Sequence, residues 1–264
     1  MLMLTVEQHR DVLARLVLLA RRVEQYESRS APYSNLMGSF LLHQMSSADA
    51  LLSLHHLAGE ARFPVAGAYA IARTMFETDV AAHYIGQDPE DRAVRYIEFG
   101  HVLKKRQMDA CAKHLASADR TWAEGLRLEW DSRWAPVEAE VNTEYARVRA
   151  RFEGLGPGAK PRPFSNWSGK SIRQMAGEVD HTEAYDVFYS DLSSFAHADV
   201  RLADRYVKLK LDGPVFSAAA DKYDVGAAFR YAAIFLGCFL GLFGNESKLW
   251  TEEEVDRCWQ PPGA

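Results

Sequence analysis

Cysteine is scarce in this chain of 264 residues. Cys111, Cys238 and Cys258 are too few and too scattered for a disulfide framework or a Cys-x-x-Cys metal knuckle, which fits a reducing compartment. An excess of positive charge is also missing. The 31 Lys and Arg against 36 Asp and Glu give a formal net charge of −5, so no electrostatic footprint for nucleic acid covers the molecule, and only a local basic patch stays open. Long hydrophobic runs are absent as well. The most apolar stretch, Tyr231 to Phe243 after Arg230, falls short of the ~20 residues that span a bilayer. Its Gly237 and Gly241 suit close helix packing, so it reads as a buried core helix. The first residues lack the basic start, apolar run and cleavage site of a signal peptide, and Thr5 reads instead as a helix cap with Gln8 at the third helical position. A cytoplasmic protein without membrane contact is the expectation.

Strand signals are nearly absent too, while helix punctuation recurs. An apolar content of 48% with 25% charged residues is enough to bury a sizeable core. A first helix runs from Thr5 to about Ser28, and the stretch around Pro32 breaks it. A second covers Asn35 to Glu60, and a third follows Pro64 to about Gly86. Asp88-Pro89-Glu90-Asp91 starts a fourth, because Asp caps, Pro fits the first helical position and acids favour the positive end of the dipole. A fifth spans Asp119 to Glu153, interrupted at Pro136. Gly154 to Lys170, with four Gly and three Pro residues, is the one long irregular loop, and such loops are usually functional or disordered. Helices resume at Ser171, at Asp180 with Glu183 as a capping box, at Asp224, and at Thr251 with Glu254. The expected fold is all-α, a single domain over residues 1–264, built as an antiparallel bundle of about eight helices.

Most motifs fail on their own chemistry. Gly169-Lys170-Ser171 has the end of a P-loop, but Phe164 stands where the pattern needs its first Gly, and no strand precedes it. What survives is a weak anion site at Lys170, Ser171 and Arg173, where charge meets a helix N-terminus; a plain Ser171 cap explains the same residues. Glu98-x-x-His101 and Glu178-x-x-His181 have the spacing of a di-iron carboxylate bundle. Gly177 and Asp180 put a helix boundary within the second, and His56 with Glu60 finds no third ligand, so neither a metal nor a cofactor is expected. Arg95 and His101 fit the loose Arg-to-His spacing of HEPN-type ribonucleases, without the polar residue that usually follows the Arg.

More telling are polar residues on apolar faces. At 100° per residue, Ala66, Tyr69, Phe76, Val80 and Tyr84 fall within about 60° of Arg73, and Glu77 within about 40°. A charge buried alone costs several kcal/mol, so Arg73 and Glu77 should be paired, either as an ion pair fixing helix register or as the polar floor of a pocket. The helix after Asp180 carries Tyr185, Phe188, Tyr189, Leu192, Ala196, Ala203 and Tyr206 on one face, with Asp199 out of place among them. Asp186, Ser190, Ser193 and His197 form a band on its flank. Were that flank to face a cleft, His197 is the best candidate for acid–base work, since its ordinary pKa lies near neutrality.

The helix with Arg73, Glu77 and Tyr84, together with Trp167, Gly169, Tyr185, Tyr189, Ser193 and His197, resembles a bacterial helical family catalogued only as domain of unknown function 5677. The likeness covers about residues 60 to 210 and implies an intracellular, all-helical protein with no established activity. Three functions stay in play. A binding or regulatory module would hold a small polar or anionic ligand at Arg73, Glu77, Tyr185, Tyr189, Ser193, His197 and Asp199. A metal-independent ribonuclease of defence or toxin type would take nucleic acid at a basic groove. An oligomeric scaffold would use Trp122, Trp130 and Trp134 as an interaction surface, and a homo-oligomer is expected.

Overall fold

A computed structural model describes residues 4–25, 32–58, 63–117, 120–155, 161–196, 207–210, 213–216 and 222–260. In chain order the helices are α1 (Val6–Ala20), α2 (Pro32–Ala58), α3 (Val65–Gly86), α4 (Pro89–Ser117), α5 (Arg120–Glu129) and α6 (Glu138–Val148). They continue as α7 (Ile172–Glu178), α8 (Thr182–Ala184), α9 (Ser190–Ala196), α10 (Lys222–Ser247) and α11 (Glu252–Arg257). The fold is all-α, as its helical punctuation implies. Two small antiparallel hairpins interrupt it: β1 (Glu153–Leu155) pairs with β2 (Pro161–Pro163), and β3 (Val207–Lys210) with β4 (Gly213–Phe216).

The contacts group the chain into two compact units, residues 1–87 with 171–264, and residues 88–170, where the sequence reads as one bundle. In the first unit α3 packs against α2, α7, α9 and α10. Tyr69, Phe76, Phe229, Phe235 and Phe239 are among its largest fully buried side chains. Helix α10 lies against α1, α2 and α3. Its window Tyr223–Gly244 is 22 residues, long and apolar enough by length and composition to cross a membrane, and 67% of it is buried inside the fold. The apolar run is therefore longer than Tyr231 to Phe243, although burial in a core remains its setting here.

The second unit builds its own core from Met108, Cys111, Trp134 and Val141, with Leu126 and Trp130 packed against it. Trp122 is exposed, so the three tryptophans do not form one outward surface. The fifth helical stretch breaks where Pro136 requires: a π turn (Trp130–Trp134) and a 3-10 turn (Ala135–Val137) separate α5 from α6. Arg95 donates to the Trp167 carbonyl at 2.9 Å, and Trp167 packs edge-on against Tyr96. Gly169 adopts a left-handed φ of 72°, which glycine tolerates freely. The Gly154–Lys170 stretch thus contains the second strand of a hairpin and a bonded turn.

Several caps are as expected and one is not. Thr5 with Gln8, Ser171 with Gln174, and Thr251 with Glu254 form capping boxes. Asp180 does not cap the next helix. It ends α7 in the left-handed region with φ 59°, and the His181 amide reaches back to the Ala176 carbonyl at 2.8 Å, the bond that closes a Schellman turn. His181 instead occupies the N-cap position ahead of α8, without a side-chain cap bond.

Candidate functional site

Two polar clusters sit along α3 where it meets the segment from α7 to α9. In the first, Arg73 Nε donates to Glu77 Oε1 at 2.9 Å, one helical turn away. The Tyr189 hydroxyl lies between them, accepting from Arg73 Nη2 and donating to Glu77 Oε1, each at 2.9 Å. The Arg73 guanidinium also lies 5.1 Å from the Tyr189 ring centre. Tyr189 reaches this place because a π turn (Tyr185–Tyr189) links α8 to α9; a widened turn of this kind re-aims side chains locally. Tyr185 and Tyr189 stack 4.6 Å apart at 18°. Burial opposes charge on Arg73, yet Glu77 and Tyr189 outweigh it and raise its pKa. Burial, reinforced by Glu77, raises the Tyr189 phenol, so it stays a neutral donor at neutral pH.

The second cluster centres on Asp79 of α3. Asp79 is 1% exposed, and among the described residues its Oδ1 has no hydrogen-bond partner. His181 Nε2 lies 3.3 Å from Asp79 Oδ2, and His83 Nδ1 lies 3.4 Å from Oδ1. Both imidazoles are oriented by backbone. His83 Nδ1–H donates to the Asp79 carbonyl at 3.0 Å, and His181 Nδ1–H to the Val179 carbonyl at 2.7 Å. The two rings stand 4.7 Å apart. Burial works against a charged His83, but its contacts with Asp79 prevail and raise its pKa.

A cleft of about 360 Å³ opens beside this cluster. Its apolar wall comes from Phe76, Val187, Phe188, Ile234 and Phe235, and its polar rim from Asp79, Asp180, His181 and Glu183, with the thiol of Cys238 at the edge. Three carboxylates against one imidazole make the rim acidic.

Of the residues singled out by sequence, Arg73, Glu77, Tyr185 and Tyr189 come together. Arg73 and Glu77 are only part-buried, with side chains 19% and 34% exposed, rather than central to the stripe. Ser193 lies on α9 with its Oγ buried and unpartnered among the described residues. His197 and Asp199 lie outside the described residues. Ser171 Oγ accepts the Gln174 amide of its own helix, Arg173 pairs with Asp186 at 3.4 Å, and the Lys170 amide donates to Ser168. Glu98 binds Arg147 at 2.7 Å and Arg151 at 2.8 Å. His101 lies 3.7 Å from Glu144, which commits the first Glu-x-x-His pair elsewhere. Glu178 ends α7 while His181 follows the left-handed Asp180, so the second pair is indeed split. The missed signal was the four-residue spacing of Asp79 and His83 on α3.

Residues 35–214 match a family of unknown function, DUF5677. The chain belongs to the DUF5677 family. No curated protein and no solved structure matches it. The DUF5677 segment contains Arg73, Glu77, Asp79, His83, His181 and Tyr189, while α10, which adds Ile234, Phe235 and Cys238 to the cleft, lies beyond it.

Proposed function

We propose that this DUF5677 protein is a small-ligand-binding module whose cleft, between α3, the Tyr185–Tyr189 turn and α10, takes a cationic centre. The observation that carries this reading is Asp79: a carboxylate 1% exposed, with one oxygen unpartnered among the described residues, on the wall of an open cleft. An unsatisfied buried acceptor costs about 1–3 kcal/mol, and more when charged, and a bound cation offsets that cost. The aromatic wall supplies the apolar contact typical of small-molecule sites. An anionic ligand fits less well, because the rim is acidic and the Arg73 guanidinium already engages Glu77 and Tyr189.

Phenethylamine and phenylacetate, matched in shape and opposite in charge, test this by ligand-observed NMR in EDTA. Phenethylamine binds and phenylacetate does not, and Asp79→Asn weakens the amine by about tenfold or more, the order of one charge-assisted hydrogen bond. Equal binding of both probes, or an amine insensitive to Asp79→Asn, contradicts the reading.

A further inference from the structure

The cation suited to this cleft can be named from the donors that surround it. We infer that Asp79, His83 and His181 form a site for one divalent transition-metal ion of the zinc class, an assignment that rests on the cleft being a binding site.

One donor atom from each of the three residues lies within 4.8 Å of the others. A backbone carbonyl only accepts hydrogen bonds, so the bonds to Asp79 and Val179 fix a proton on Nδ1 of both His83 and His181. In the neutral ring that binds a metal, Nε2 then carries the lone pair. A ring nitrogen donating to backbone while the other faces a metal is the orientation that metal-ligating histidines recurrently show. Zinc bonds of about 2.0–2.1 Å at the tetrahedral angle set neighbouring donors roughly 3.3–3.4 Å apart. His181 Nε2 and Asp79 Oδ2 are separated by 3.3 Å, the edge of such a tetrahedron.

A divalent ion at this point also compensates the buried Asp79 carboxylate, whose Oδ1 has no hydrogen-bond partner among the described residues. Two imidazoles and one carboxylate favour zinc, iron or cobalt over magnesium and calcium, which prefer oxygen donors throughout. Three protein ligands leave a fourth position, and Asp79 and His181 both line the cleft, so a water or a ligand donor completes the shell there. This is the plan of zinc sites that keep an open position, not of closed structural ones.

The full chain, stripped with EDTA and dialysed, is titrated with Zn(II) against a chromophoric chelator, and with Co(II) by visible spectroscopy. One ion binds per chain, Co(II) gives the d–d bands of a low-symmetry nitrogen and oxygen site, and long-range ¹H–¹⁵N spectra show metal on Nε2 of two histidines. His181→Gln and Asp79→Asn, each checked by circular dichroism, lose about 100-fold or more in affinity, while His114→Gln on α4 binds as wild type. Should Asp79→Asn fail to fold, His181→Gln carries the comparison. Absence of stoichiometric binding, or affinity unchanged in folded His181→Gln, overturns the assignment. Zn(II) also displaces phenethylamine from the cleft. Amine binding without metal binding sinks the metal and spares the cleft; metal binding without amine binding does the reverse to the amine test.

Discussion

The Tyr189 hydroxyl stands between opposite charges, accepting from Arg73 and donating to Glu77 at 2.9 Å each. Tyr189→Phe removes both bonds but leaves the Arg73–Glu77 pair intact, so urea unfolding should show a loss of about 1 kcal/mol, in the range of a net hydrogen bond. Phe76, fully buried between Tyr189 and Phe235, is a different case: Phe76→Ala should cost roughly 3–5 kcal/mol through the cavity it leaves. Arg73 and Glu77 were legible in sequence because they break an apolar stripe. Asp79 was not, since it falls about 120° from Arg73 around the helix. Helix α3 buries Ala68, Ala72, Met75 and Asp79 on that side as well as Tyr69 and Phe76. A helix apolar nearly all round has no polar face against which a buried acid stands out.

At the scale of elements, termini were the most readable feature because capping is local chemistry. Glu254 closes the box at the start of α11 by accepting the Thr251 amide at 2.9 Å, and it pairs with Arg22 at 2.8 Å. Those two bonds hold its carboxyl below the ordinary 4.5. The native state therefore binds its proton less readily than the unfolded chain. The stability this contributes is complete above about pH 4.5 and is lost as pH falls through the lower native value. An NMR titration of Glu254 should move back toward 4.5 in Arg22→Ala. Beside it, a Cβ at Gly244 would overlap the Trp250 indole, whose Nε1 donates to the Leu240 carbonyl at 2.7 Å. Gly244→Ala should thus shift tryptophan emission and lower stability by about 1–3 kcal/mol, as overpacking does. The hairpins were harder to read. Val207 to Lys210 does alternate apolar and basic residues ahead of Asp212-Gly213, but four residues of period two are easily absorbed into a helix. In β2, Pro161 and Pro163 argue against a strand altogether.

Within residues 1–87 and 171–264, α10 packs on both α1 and α3, and the cleft borrows residues from α3 and α10. Hydrogen exchange should find the slowest amides of residues 1–87 and 171–264 in the middle of these two helices, with α11 opening sooner because it is short and peripheral in its contacts. The all-α class was legible from composition and punctuation. The site was not, because His181 comes to Asp79 and His83 only through the left-handed turn at Asp180 and the packing of α7 on α3, neither of which a linear spacing encodes. The most direct test of the account is an anomalous difference map from a crystal soaked in Zn(II). It should show one peak about 2.0–2.1 Å from His181 Nε2 and an Asp79 carboxylate oxygen, with His83 completing the set. An empty Asp79 cluster in a crystal whose exposed histidines carry zinc would contradict it.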